Sequence, residues 1–471
     1  MAGEAKAPEK VSAQDWDGPD DKDNPQNWPL TKKLLHTFIP TSIAFLCPFG
    51  SSVYTPGRQE IQSQLSVSPE VSLLPFCLYL LGLSFGPVIA APTSETFGRR
   101  WVYMIGLPLF GLFTLGAGFS QSITTLIVCR FFAGLFSSPG LSIGTGTISD
   151  IWTPEKKGLP MATFITSVQM GPALGPLIGG YVVEGESWRW TQWVILFALT
   201  VIFAVTLCMS ETYKKVILRK RAKRLDIKGP DGSCQSTSET INFFVRKTIL
   251  RPLHMLFSET IVTLFDLYVA IDFGLLNAFF AAFPLVFRKE YSFTIGQIGL
   301  TFLGQAVGSL AGFCIVVVFD RFFYQPRARN TEKDLPPEQR LWIAMLGAPM
   351  LPISLFWFGW TARSNVHWMS PVAAEAFFSC GNLLIFTCAS LYLTDSYGAI
   401  YGASAWSSNT FLRYLFATVF PLFAEQMYSS LKDGWASSLL GFLTVALMPI
   451  PFTFYIWGPR LRRNSKYKPG Q

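Results

Sequence analysis

The sequence predicts an all-α membrane protein in which two sets of six transmembrane helices flank a basic central loop. Half of the 471 residues are apolar and only 14% are charged, whereas a soluble domain carries about 25% charged residues. The apolar residues come in runs of about 20, the length of helix that crosses a hydrocarbon core. Inside lipid such a run must satisfy its own backbone hydrogen bonds, which a helix does.

Six apolar runs make up the first half, which we place at residues 34–210. A polar, acidic segment, residues 1–33, precedes them and lacks the apolar stretch of a cleaved secretory signal, so we expect a flexible cytosolic tail. The predicted spans of this half are Leu34 to Tyr54, Val71 to Ala91, Trp101 to Phe119, Ile123 to Ile148, Leu159 to Val183 and Trp190 to Ser210.

A polar, basic stretch, residues 211–258, separates this half from six further runs at residues 259–457. A basic tail, residues 458–471, ends the chain. The predicted spans of the second half are Glu259 to Phe287, Gly296 to Phe319, Arg340 to Trp360, His367 to Leu393, Tyr401 to Tyr428 and Gly434 to Trp457.

The basic residues test this arrangement, because lysine and arginine concentrate in short cytosolic loops. With both termini in the cytosol, roughly thirty basic residues fall on that side and about six on the other. The net charge of +8 therefore reflects topology. We interpret the central loop as an orienting element that faces lipid headgroups and not nucleic acid. The eight cysteines lie scattered, without metal-ligand spacing, so we predict no metal site.

The fifth predicted span contains ten residues, Gly171 to Gly180, in which small residues and prolines recur. Gly171, Gly175 and Gly179 are spaced four apart and form a stripe that lets another helix approach closely, while Pro172 and Pro176 favour a kink. The pattern also suits ordinary helix packing, but its full length resembles the motif in the fifth helix of major facilitator antiporters. That resemblance implies export, with conformational roles for Gly171, Gly175, Pro176, Gly179 and Gly180.

Several other segments resemble the same superfamily and its fungal drug:proton antiporters. The loop from Ser94 to Arg100 is similar to the Gly-x-x-x-Asp-Arg-x-Gly-Arg-Arg signature, although Ala91 and Thr96 depart from it. The resemblance implies a conformational latch that pairs with acids across the seam between the halves, formed by Glu95, Gly98, Arg99 and Arg100. Further matching segments are Asn24 to Pro29, Trp188 to Trp190 and Asn409 to Arg413, where Arg413 is assigned to the motif set. The implied fold is the major facilitator fold, built from two six-helix halves.

Charged residues inside apolar spans are functional candidates, because a charge in lipid is costly. Arg130 matches the family's Arg-x-x-x-Gly element, which implies proton coupling; the alternative is that its side chain reaches the nearby interface. Asp272 is the first candidate for a proton carrier, because of its depth, and Asp266 is the second. Each acid is equally well explained as a structural partner of Arg413 or of a polar neighbour.

Substrate-binding candidates are polar groups and aromatic rings in the same spans. Glu375 either binds a cationic substrate or reaches the interface, and the rings are also explained by packing. The candidates are Gln169, Phe273, Asn277, Phe280, Glu375 and Asn382.

The leading functional prediction is a proton-coupled exporter of a drug, toxin or secondary metabolite. We expect it in the plasma membrane, as a monomer, with both termini cytosolic; a vacuolar or vesicle membrane is the alternative location. We expect no cofactor, since the sequence has no phosphate-binding Gly-x-x-x-x-Gly-Lys-Ser/Thr loop, and its partners would be the small-molecule substrate, protons and the bilayer. The nearest rival is an uptake or polyamine/organic-cation transporter of the same fold. We predict no catalytic residues, because a membrane enzyme would need clustered ligands and the three histidines lie far apart.

Overall fold

A computed structural model describes residues 15–18, 20–153, 156–225, 250–330, 336–463 and 465–467, and the regular structure throughout these ranges is helical. Within them, nine helical stretches are long and apolar enough to cross a membrane. One of these, Ser404–Arg463, holds two helices, because the backbone leaves the helical conformation at Lys432. Gly158–Gly185 and Trp190–Thr206 supply two more helices. The described chain is therefore consistent with the twelve spans predicted.

The first half contributes six long helices, and a short helix, Arg58–Leu65, lies between the first two. The long helices are α1 (Leu30–Ser52), α2 (Pro69–Phe97), α3 (Arg99–Gly118), α4 (Ile123–Ile151), α5 (Gly158–Gly185) and α6 (Trp190–Thr206).

The second half also contributes six long helices. Its helices are α7 (Thr260–Tyr291), α8 (Ile295–Arg327), α9 (Pro337–Thr361), α10 (Met369–Gly398), α11 (399–431) and α12 (433–463). α10 and α11 follow one another without a loop, and the backbone turns between them at Gly398, where φ is +63°.

Local sequence signals explain several helix ends. Ser68 and Ser122 accept hydrogen bonds from backbone N–H groups in the first turns of α2 and α4, as N-cap serines do. Thr294 and Gln297 form a reciprocal capping box at the start of α8. α2 ends at Gly98, whose φ of +100° favours glycine, and α3 begins at the next residue.

The two halves meet along a seam. α5 of the first half packs against α8 of the second, and α2 packs against the segment that contains α11. We call the end of the bundle with Leu30, Gly98 and Arg463 the tail end. The opposite end, with the α1–α2 connection and the α7–α8 turn, is the far end. Side chains of α7 and α10 also reach across the seam, which runs from one end of the bundle to the other.

The basic stretch after α6 forms a short helix, Lys214–Leu225, at the tail end. Arg221 on this helix is bound by the N-terminal segment through Asp17 and, at 2.8 Å, Asp21. The described part of the N-terminal segment is thus docked on this helix through Arg221. The predicted boundaries of tails and loop stay predictions, and residues 226–249 lie outside the described residues.

Candidate functional site

A polar link crosses the seam in the middle of the bundle. The Gln169 amide on α5 donates a hydrogen bond to the Asn382 side-chain oxygen on α10. The Asn382 side chain also lies within interaction distance of the Asp272 carboxyl on α7. Asp272 is 1% exposed, and its Oδ1 has no hydrogen-bond partner among the described residues. The structure thus brings together two predicted substrate residues and the first-ranked proton carrier.

Asp266, the second predicted proton carrier, lies elsewhere on α7. Its carboxyl accepts hydrogen bonds from the Ser408 hydroxyl at 2.6 Å and the Asn409 amide at 3.0 Å, both on α11. It is fully buried and does not join the Asp272 link. Neither aspartate forms an ion pair with Arg413 within the described residues, so the alternative that they neutralise that arginine is wrong.

Arg130 is buried inside the first half. Its guanidinium donates to the Ser51 carbonyl at 3.3 Å and the Gln192 side-chain oxygen at 3.5 Å, and it lies over the Tyr79 ring at 4.5 Å. Its exposure is 1%, so the alternative that it reaches the interface is wrong. In the described part of the chain its partners are neutral, and the structure does not bring it to Asp272 or Asp266.

Arg413 lies on α11 at the seam, in a cage of aromatic rings. Its guanidinium carbon is 4.4 Å from the Phe386 ring centroid and 4.8 Å from those of Phe273 and Tyr414. Its Nε and Nη1 are buried and have no hydrogen-bond partner among the described residues. Phe273, a predicted substrate residue, therefore serves as one wall of this cage.

Glu375 on α10 is 2% exposed, so the alternative that it reaches the interface is wrong. The Glu375 Oε2 atom has no hydrogen-bond partner within the described residues. It packs close to Gly304 of α8, where an added Cβ would lie 3.1 Å from it. Glycine at that position leaves room for the carboxyl. Ser379, one turn further along α10, also has an unpartnered buried hydroxyl.

The two remaining predicted substrate residues make packing and backbone contacts. The Asn277 amide donates to the Phe273 carbonyl of its own helix at 2.8 Å. Phe280 stacks on Phe302 at 5.2 Å and meets Phe76 of the first half edge to face at 5.8 Å. Phe280 is thus a contact across the seam.

The glycine stripe of α5 lies against α1. A Cβ on Gly171 would lie 2.9 Å from the Phe49 backbone nitrogen, and one on Gly175 would lie 2.8 Å from that of Val53. Gly179 also faces Val53, and the buried Pro176 belongs to the same face. Such distances leave no space for side chains.

Gly180 faces the other way, across the seam. A Cβ there would lie 2.9 Å from the Ile295 carbonyl oxygen at the start of α8. From the opposite side, a Cβ on Gly299 would lie 3.1 Å from the Leu177 Cα. At the far end the halves therefore touch backbone to backbone.

The turn between α2 and α3 is held by Glu211, which follows α6, and by Asp150 of α4. The Glu211 carboxylate accepts from the backbone N–H of Arg99 at 2.9 Å and of Arg100 at 3.3 Å, and so caps the start of α3. The Arg99 side chain pairs with Asp150 of α4 at 3.2 Å and donates to Ser94. Arg99 therefore does not pair across the seam as expected, because its guanidinium is already paired with Asp150 of the same half.

A cavity of about 630 Å³ opens between the halves at the far end. Arg58, after α1, and Glu425, on α11, line it and form an ion pair of 3.1 Å that joins the halves. The six predicted substrate residues do not line this cavity. A second, narrow pocket lies on the tail-end side of the seam and is lined by residues of both halves, including Phe164, Phe386 and Arg413.

Sequence reasoning missed Arg58, Asp150, Glu211 and Glu425, which lie near helix ends. Charged residues are common near helix ends and in loops, so the sequence alone does not mark these four as functional. Asn409 lies within the segment quoted for its resemblance, but its contact with Asp266 depends on helix packing.

Comparison with known proteins identifies the family. The profile of the Major Facilitator Superfamily matches residues 41–421. The chain belongs to this superfamily. Its members are transporters, so the protein is a multi-pass membrane transporter of small molecules and not an enzyme.

The relatives of this major facilitator protein are fungal. It is 40% identical to polyamine transporter 4 of Saccharomyces cerevisiae, over 96% of this chain and 73% of that protein. It is 35% identical to the citrinin biosynthesis cluster MFS transporter of Monascus ruber, over 99% and 95%. It is 38% identical to fluconazole resistance protein 1 of S. cerevisiae, over 96% and 84%. The resemblance to fungal drug transporters is confirmed.

The solved structure of the xylose transporter XylE from E. coli, in a partially occluded inward-open conformation, shares the fold. Its TM-score is 0.66 at 13% identity, and the match covers 90% of this chain and 98% of that one. The predicted major facilitator fold is thereby confirmed.

Proposed function

We propose that this major facilitator protein is a proton-coupled exporter of a drug, toxin or secondary metabolite. The observation that carries the proposal is the link from Asp272 through Asn382 to Gln169, because it connects a titratable group to the contact between the halves. An ionised carboxylate only accepts hydrogen bonds, whereas a protonated one also donates. A change of protonation at Asp272 therefore changes the hydrogen bonds available to Asn382, and with them the seam.

The export direction is supported by two observations. The stretch from Gly171 to Gly180 resembles the motif of major facilitator antiporters. The names of two relatives, fluconazole resistance protein 1 and a citrinin biosynthesis cluster transporter, refer to drug resistance and to a metabolite pathway.

The proton gradient is the proposed energy source, without a cofactor. It supplies about 1.4 kcal/mol per pH unit and about 2.3 kcal/mol per 100 mV. The proposed setting is a monomer in the plasma membrane with the tail end in the cytosol, supported by the basic residues of Lys214–Leu225 and Arg460 to Arg463 at that end.

A cation transporter is the second candidate. It is favoured by the name of polyamine transporter 4 and by the buried, unpartnered Glu375 oxygen, which would suit an ammonium group.

The test measures efflux from proteoliposomes with and without an imposed pH gradient, using a panel of fluorescent drugs and labelled spermidine. We expect gradient-dependent extrusion by the wild type and loss of the gradient dependence in Asp272→Asn and Arg130→Ala. Glu186→Gln, at an exposed acid at the end of α5, is the matched control and should behave like the wild type. Inward transport, or extrusion that ignores the gradient in every variant, would overturn the proposal. Selective movement of spermidine would favour the second candidate.

A further inference from the structure

Arg413 is a buried cation, and the described residues leave part of its hydrogen-bonding capacity unused. It is 3% exposed, and its Nε and Nη1 find no acceptor among the described residues. Within the same residues no carboxylate lies close enough to form an ion pair with it. Buried donors without acceptors cost free energy, and an arginine in a membrane span needs a counter-charge or acceptors.

The aromatic cage does not meet this need. Rings attract the positive charge through their faces, but they do not replace the oxygen acceptors that guanidinium N–H groups prefer. Phe273, Phe386 and Tyr414 therefore hold the guanidinium in place and leave its N–H groups available.

Arg130 provides an internal comparison. It is equally buried and also lies over rings, but it donates to the Ser51 carbonyl and to Gln192. The Arg130 side chain therefore has acceptors within its own half, and it does not line either cavity described above. Among the described residues, Arg130 thus leaves one guanidinium nitrogen, its Nε, without a partner, whereas Arg413 leaves both its Nε and its Nη1.

Arg413 also lines the narrow pocket on the tail-end side of the seam, which has a free volume of only about 10 Å³ in this structure and must open to admit a molecule. Phe164 and Val168 of α5 form one wall, and Phe386, Trp406 and Arg413 form the other. Because the walls belong to different halves, separation of the halves at the tail end widens the pocket. Its chemistry is aromatic and apolar with one cationic anchor.

We propose that Arg413 binds the carboxylate of a flat, aromatic organic acid, which the rings of this pocket sandwich. A guanidinium recognises a carboxylate through two parallel hydrogen bonds, and a flat ring system suits walls of Phe and Trp. This inference rests on the proposed function, since it names a substrate class for the exporter. Under the proposed orientation the tail end is cytosolic, so the acid enters from inside the cell.

The test compares three matched probes on the full-length protein in detergent: 2-naphthoate, the neutral 2-naphthamide and the cationic 2-naphthylmethylamine. Binding is followed by thermal stabilisation and by quenching of tryptophan fluorescence. We expect 2-naphthoate to bind about tenfold or more tightly than either analogue, because only it offers a charged acceptor. Arg413→Gln should remove this preference, while Arg413→Lys keeps part of it, because an ammonium group supplies charge without the planar fork. Arg460→Gln, an exposed arginine on α12, is the matched control.

Equal binding of the acid and the amide to the wild type, or tighter binding of the amine, would overturn the inference even if Arg413→Gln failed to fold. A preference for the acid that survives in Arg413→Gln would also overturn it. If the protein extrudes other substrates with the gradient but shows no preference for acids, the proposed exporter function stands and only the proposed acid site is refuted. If acid binding depends on Arg413 but transport runs inward, the proposed acid site stands and the proposed export function is refuted.

Discussion

At the scale of single residues, the buried charges of this major facilitator protein differ in how completely the protein satisfies them. Asp266 has two side-chain donors from α11, whereas Asp272 has an oxygen without a partner in the described residues. Among those residues, Arg130 donates to two acceptors and leaves only its Nε unpaired, whereas Arg413 leaves both its Nε and its Nη1 unpaired. The unpaired oxygen of Asp272 is available to a proton, and the unpaired nitrogens of Arg413 are available to a ligand.

Arg130→Lys should destabilise the protein although it keeps the charge. A single ammonium group cannot reach the Ser51 carbonyl and the Gln192 amide in the fixed geometry of a guanidinium, so the free energy of unfolding should fall by about 1–3 kcal/mol. Thermal unfolding in detergent measures the change, with Arg460→Lys as the exposed control. An unchanged midpoint would mean that these two acceptors contribute little.

Sequence reasoning recognised most of the central residues one by one but could not pair them. Gln169, Asn382 and Asp272 stood out because polar groups are costly in lipid, and that signal is local. Their contact depends on how three helices pack, which no spacing within one helix reveals. The same limit applies to Arg99: its partner Asp150 lies two residues beyond the predicted end of the fourth span, and their pairing depends on how α3 packs against α4.

At the scale of helices, the pairing of α1 with α5 depends on glycine. Gly171→Ala would place a Cβ 2.9 Å from the Phe49 backbone nitrogen, and backbone cannot rotate away as a side chain can. We expect a loss of about 1–3 kcal/mol of unfolding free energy from this overpacking. Gly185→Ala is the control, because a Cβ there meets nothing within 4 Å. Equal melting temperatures of the two variants would contradict the assigned contact.

The docking of the N-terminal segment on the helix Lys214–Leu225 should be stable across the physiological pH range. Burial by itself raises the pKa of the Asp21 carboxyl, but backbone donors from Asp23 and Asp17 and the Arg221 guanidinium outweigh it and hold the pKa below its ordinary value. A lowered carboxyl pKa adds stability above about pH 4 that is lost as the pH falls further.

A spin label at Gly18→Cys, in a background without other cysteines, reports on this contact, and Gly18 has open space for it. We expect an immobile label from pH 5 to 8 and a mobile one in strong acid. Arg221→Gln should release the label at neutral pH, while Lys220→Gln, an exposed neighbour, should not. A label that is mobile in the wild type at neutral pH would show that the segment is not docked.

The helices themselves were largely predictable. Length and apolar content define a membrane span because lipid admits few alternatives, and the predicted spans overlap α1 to α12. The direct turn from α10 into α11 at Gly398 was not predicted, since one glycine among many carries no distinctive signal.

At the scale of the whole molecule, the halves are joined at the far end by a charge pair and by backbone contact. Arg58→Glu or Glu425→Arg alone puts like charges on both halves, and we expect either to slow efflux. The double variant restores opposite charges and should recover part of the rate. Recovery is incomplete because Arg58 also donates to the Pro69 carbonyl at 3.0 Å, which a carboxylate cannot do.

Efflux from proteoliposomes measures all three variants against the wild type. The pair is partly exposed, so its direct contribution is about 1 kcal/mol or less, and the effect should weaken in high salt. A double variant no faster than the slower single variant would show that the two charges do not act on each other.

The contact of Gly180 with Ile295 and Gly296 is made by main-chain atoms. It needs a residue without a Cβ at position 180 but does not depend on the chemistry of any side chain. The surfaces that meet at the far end are therefore independent of the side chains that line the pocket around Arg413. Substitutions in that pocket can alter which molecules are accepted without disturbing how the two halves come together. A fold arranged in this way can acquire new cargo one residue at a time.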